Sequence, residues 1–141
     1  MTVAPGAPTT LHAGTAGGLF RSTDAAATWT SLGAELPTPL SALSVDLTRP
    51  SALYAAAGDG VFASTDAGIT WTPRGRLPSG ATAPMFAVDP HDPLTLYVGT
   101  QRSCVVRSTD GGASWQTTKR GGCLSLPISA MAMRGAALGA R

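Results

Sequence analysis

The chain has 141 residues, of which 43% are hydrophobic and 13% charged, with a formal net charge of +2. That length suits roughly one ordinary domain, and the low charged share is the opposite of a long disordered tail. The charges form no basic cluster, and no apolar run approaches the roughly 18 residues that span a bilayer, so neither nucleic-acid binding nor membrane insertion is indicated.

The amino terminus, MTVAPGAPTT, has neither the basic head nor the apolar stretch of a signal peptide. LHAGTAGGLFR follows from Leu11, then STDAAATW (22–29) and a loop over 33–39. SALSVD (41–46) and ALYAAA (52–57) read as two strands. VFAS (61–64) is a third, reached through Gly58-Asp59-Gly60, and TWTPR (70–74) a fourth, reached through Asp66-Ala67-Gly68. After a connection over 75–83 the series recurs as VDPHDPLTL (88–96), LYVGTQRSCVVR from Leu96 and STDGGASW (108–115). Following a further loop, LPISAMAM (126–133) reads as one more first strand, and RGAALGAR (134–141) as a tail.

The chain therefore contains three copies of one unit. STDAAATW, STDAGITW and STDGGASW align without gaps, and their Asp residues lie 42 and 44 residues apart. A unit of about 40–45 residues with four short strands is the signature of a propeller blade, a sheet that must stack on neighbours to bury both faces. The expected fold is all-β: a β-propeller of four-stranded antiparallel blades, about three of them present. The expected blades are 9–32 with a closing strand from 126–133, then 40–75 and 84–119.

The recurring run has a turn mechanism. Asp24, Asp66 and Asp110 can accept hydrogen bonds from the turn that follows, and Ser22, Ser64 and Ser108 can bond across it. Gly68 and Gly112 suit a positive φ, whereas the first copy carries Ala26, which predicts a strained or altered turn. Trp29, Trp71 and Trp115 offer large apolar surfaces to the packing between blades.

These residues resemble the Asp-box, or BNR repeat, Ser-x-Asp-x-Gly-x-Thr-Trp, over about residues 3–133. The family includes sialidases, xyloglucanases, sortilin-type receptors and photosystem II assembly propellers. The resemblance implies that the motif is a structural turn between the third and fourth strands, away from the ligand site. It favours an exported protein.

Three blades fall short of the about four to eight of a closed propeller. Three arrangements follow: part of a longer chain with further blades, self-association of two copies, or an open stack.

In an up-and-down blade, successive turns alternate between two faces. The turns between second and third strands share one face with the connections between blades. That face carries the ligand candidates Glu35, Asp59, Arg76, Gln101, Arg102, Lys119 and Arg120, although solvated loop residues would look the same. Cys104 and Cys123 both fall near that face, as a disulfide or as two free thiols. His12 replaces Tyr54 and Tyr97 of the other copies and His91 lies in a turn, so no metal site and no cofactor are expected.

No catalytic set emerges. Glu35 is the single Glu, and a sialidase-like Arg cluster with a Tyr–Glu pair is missing. The expected function is a non-catalytic scaffold that binds a protein or a carbohydrate. The alternative is part of a glycoside hydrolase whose catalytic residues lie outside the chain or are shared between copies. Asp59 facing Glu35 across about 5–9.5 Å would favour the enzyme.

Overall fold

The structure, a computed structural model, describes residues 2–3, 9–46, 48–78, 85–100 and 104–118. Among the described residues there are strands and turns and no helix. The first sheet holds β1 (Thr2–Val3), β2 (Leu11–Thr15), β3 (Gly18–Ser22) and β4 (Thr30–Leu32). The second holds β5 (Leu40–Asp46), β6 (Arg49–Ala57), β7 (Gly60–Ser64) and β8 (Thr72–Arg76). The third holds β9 (Met85–Val88), β10 (Leu96–Gly99), β11 (Val105–Ser108) and β12 (Gln116–Thr117). Each is an antiparallel meander with its strands in chain order, the arrangement of a propeller blade.

Register repeats with the sequence. Leu11, Leu53 and Leu96 pair with Ser22, Ser64 and Ser108. Val3, Val45 and Val88 pair with the same three leucines on their other side. Side chains alternate with period two along a strand, so a one-residue slip in any copy would exchange the residues on its two faces. Thr2–Val3 occupies the edge of β2 at Leu11 and His12. Residues 126–133, expected as the closing strand of this blade, lie outside the described residues. The fourth strand also starts later than TWTPR suggested. Thr70 is tied into the turn by its bonds to Asp66, and the Trp71 N–H donates to Glu35 Oε2 at 3.1 Å, so the ladder begins at Thr72.

The core lies between blades. Leu19, Leu36, Val45, Leu53, Ala55 and Trp71 fill the first joint. Ala56, Val61, Leu77, Val98 and Val106 fill the second, extended by Tyr54, Val88 and Leu96. Phe86 stacks on Tyr54 at 6.0 Å and meets Trp115 edge-on at 6.3 Å.

Both joints have the same construction: the fourth strand of one blade lies against the turn of the next. A Cβ on Gly33 would come within 3.0 Å of Trp71 Nε1. One on Gly75, the equivalent position, would come within 2.3 Å of the Gly112 carbonyl. From the other side, Leu19 approaches Gly68 and Val61 approaches Gly112, leaving 3.1 and 3.0 Å to an added Cβ. These contacts explain Ala26. Its turn keeps the left-handed backbone, with φ of 55° at Ala25 and 74° at Ala26, and the Ala26 side chain is exposed. The methyl group carries only backbone strain, of about 1–2 kcal/mol. Trp29 is 39% exposed, whereas Trp71, which packs against Gly33 and Leu36 of the preceding segment, is 7% exposed.

Candidate functional site

The three Ser-x-Asp turns use one bonding scheme. Ser64 Oγ donates to Asp66 Oδ1 at 2.7 Å and accepts the Gly68 N–H at 2.9 Å. Asp66 then accepts the N–H and hydroxyl of Thr70. Ser22, Asp24 and Thr28 repeat this, as do Ser108, Asp110 and Ser114. The Thr28 and Thr70 hydroxyls, then their N–H groups and the neighbouring Ser22 and Ser64, hold Asp24 and Asp66 down at about 2. Ser114 lowers Asp110 in the same way. Each carboxylate is committed to its own turn. The indoles of Trp71 and Trp115 donate to the Gly68 and Gly112 carbonyls at 3.0 and 3.1 Å, and Trp29 makes no such bond among the described residues.

At the opposite end of the second blade lies a groove of about 770 Å³. The connection at Pro37 and Pro39, the β6–β7 turn at Asp59 and the end of β8 at Arg76 converge there over Phe62. Topology sets this convergence, because the β6–β7 turn and the blade connections emerge on the same face. Pro73 on edge strand β8 pairs with Phe62 and adds to the apolar wall. Arg76 Nη1 lies 3.6 Å from Asp59 Oδ2, and both side chains are exposed. The groove thus offers an aromatic and proline surface rimmed by one carboxylate and one guanidinium.

Of the residues singled out by sequence, Asp59 and Arg76 meet in this groove. Glu35 does not line it, because its carboxylate clamps the Trp71 N–H across the first joint. Asp59 is the one carboxylate in the described lining, so Asp59 and Glu35 share no cleft there. Gln101, Arg102, Lys119 and Arg120 lie outside the described residues. Cys104 is disulfide-bonded, and Cys123 also lies outside the described residues. Among the described residues no group of three or more His, Cys, Asp or Glu could hold a metal ion. Sequence reasoning favoured polar loop residues and missed Phe62, Pro37, Pro39 and Pro73. The available signal was Pro-x-Pro in a blade connection, facing an aromatic third-strand position that carries Val106 in the third copy.

No protein-family model matches the chain, and no curated protein matches it. Solved structures do. An ancestral GH74 enzyme is similar at 23% identity and a TM-score of 0.65, over 82% of this chain and 17% of that one. The GH74 xyloglucanase from Xanthomonas campestris is 32% identical with a TM-score of 0.60, over 77% of this chain and 18% of that one. YCF48 bound to D1 peptide is 17% identical with a TM-score of 0.59, over 83% of this chain and 42% of that one. The chain thus spans less than half of each. These likenesses establish a β-propeller relationship and place the three sheets as blades.

Proposed function

We propose that this chain is a segment of an Asp-box propeller that acts as a non-catalytic scaffold, binding a protein or a glycan in the groove over Phe62. The groove itself carries the reading: an apolar floor with Asp59 and Arg76 as the polar rim is suited to stacking and hydrogen bonding, and it lacks a facing pair of carboxylates among the described residues. The turn aspartates are fully used by their own hairpins, which supports structural roles for Ser22, Asp24, Ser64, Asp66, Ser108 and Asp110. Repeat units at about 9–32, 40–75 and 84–119 belong to this reading, as does a Cys104–Cys123 bridge. YCF48 with its bound peptide is a precedent for a protein ligand. The GH74 likeness supports a second reading, in which the segment belongs to a glycoside hydrolase with its catalytic residues elsewhere or shared between copies.

Calorimetric titration with xyloglucan oligosaccharides, sialosides and a peptide panel tests the scaffold. The expected result is binding without turnover, weakened by Phe62→Ala and Asp59→Ala. Turnover abolished by Asp59→Ala would overturn the reading, as would binding indifferent to both substitutions.

A further inference from the structure

A second cleft, of about 200 Å³, opens where the second blade meets the third. Arg49, Thr65 and Thr70 line it from the Asp66-turn end of the second blade, away from the groove, and Leu94 closes it from the third blade. Arg74 lies midway along β8 and touches both cavities.

The fold does not require these arginines. Arg49 stands where the other copies have Ala7 and Asp92, and Arg74 where they have Leu32 and Thr118. A β-bulge is tied to the second of these departures. Val61 pairs with Gly75 and Phe62 with Pro73, leaving Arg74 as the extra residue, whereas Leu19 and Phe20 pair with Leu32 and Ser31 without a break. Bulges re-aim side chains, commonly near sites.

Each guanidinium is anchored by its Nε. Arg49 Nε lies 3.0 Å from Asp46 Oδ2, and Arg74 Nε donates to the Gly111 carbonyl at 3.4 Å. Their terminal nitrogens have no partner among the described residues, nor do the hydroxyls of Thr65 and Thr72. Asp46 answers the charge of Arg49, but no described carboxylate is within ion-pair distance of Arg74. Asp92, on the third blade, is committed to Leu94 N–H and the Thr95 hydroxyl. Tyr54 closes the cleft with its hydroxyl on the Pro93 carbonyl at 3.0 Å. Burial pushes its phenol up, Arg74 and Arg49 pull it back, and the Asp46 and Asp92 carboxylates push it up again, so both guanidinium groups and these two already hydrogen-bonded carboxylates surround this one ring.

We propose that this inter-blade cleft binds a small oxyanion: a phosphate, sulfate or carboxylate group held between Arg49 and Arg74 with hydroxyl donors from Thr65 and Thr72. Guanidinium forks match oxyanions with paired hydrogen bonds. The volume leaves room for the ion and a few waters, at ~30 Å³ each.

Titration of the whole chain with sodium phosphate, sodium sulfate and sodium acetate tests this, following the unfolding midpoint and binding heat at ionic strength fixed with chloride. Saturable stabilisation by at least one of the three is expected, since an ion bound only by the folded state raises its stability. Phosphate or sulfate alone would assign a tetrahedral guest, and acetate alone a carboxylate. Arg74→Gln should weaken binding by about tenfold or more. Thr65→Val with Thr72→Val should weaken it too, which guards against a folding defect in the Arg74 variant. Asp59→Ala should leave it unchanged, separating this cleft from the groove. No saturable effect beyond chloride, or equal binding in the Arg74 and Thr variants, overturns the proposal.

Discussion

Replacing Gly75 by Ala tests the inter-blade joint at its tightest point. The added Cβ would sit 2.3 Å from the Gly112 carbonyl and 3.1 Å from Ala113 Cα and O, all backbone atoms that can yield only if the third blade shifts. Gly75 is not a positive-φ glycine, so the cost is steric. Overpacking of this kind costs about 1–3 kcal/mol, and contact with backbone places it near ~3 kcal/mol. At roughly 3–4 °C per kcal/mol for a chain of this size, the unfolding midpoint should fall by about 10 °C. Gly58→Ala is the control. Its φ is +58° and nothing lies within 4 Å, so it should cost only the ~1 kcal/mol of a left-handed alanine. Thermal unfolding followed by circular dichroism measures both. A Gly75→Ala protein as stable as Gly58→Ala would refute the stacking of β8 on the Gly112 turn.

Other consequences follow from the same geometry. Trp71→Ala should cost about 3–5 kcal/mol, as for a buried aromatic, whereas Trp29→Ala should cost less than about 1 kcal/mol; denaturant unfolding compares them. Ala26→Gly should stabilise by about 0.5–1 kcal/mol by relieving the φ of 74°, and a loss of stability on chemical denaturation would contradict the strain. Burial holds the His12 ring below its ordinary value, with Ala67 O 3.3 Å from Nε2 and Arg21 nearby. The unfolded chain then takes up a proton that the fold resists, so stability should drop as pH falls through 6.5. His12→Tyr, the residue of the other copies, should flatten that dependence in unfolding midpoints between pH 7 and 5. Asp24 and Asp66 are held at about 2 against 3.8, so their contribution is complete above 3.8 and fades as pH falls toward 2. Asp66→Asn should reduce that acid transition.

Sequence periodicity by itself determined the blades. Three copies of Ser-x-Asp with a trailing Trp, spaced by 42 and 44 residues, named the turn, and alternation around Leu11, Leu53 and Leu96 set the register. Those features depend on neighbours in the chain: the hydroxyl, carboxylate and N–H groups that bond lie two to four residues apart. Tertiary structure decided what each copy touches. Trp29 and Trp71 are the same residue in the same turn, yet one is exposed and the other is buried against Gly33 and Leu36 of the preceding segment. Glu35 reads as a loop acid and proves to be a clamp, and the groove over Phe62 joins segments from about residue 37 to residue 76. Burial and site geometry depend on which surfaces stack, and residue spacing within one strand carries no record of the blade that packs against it.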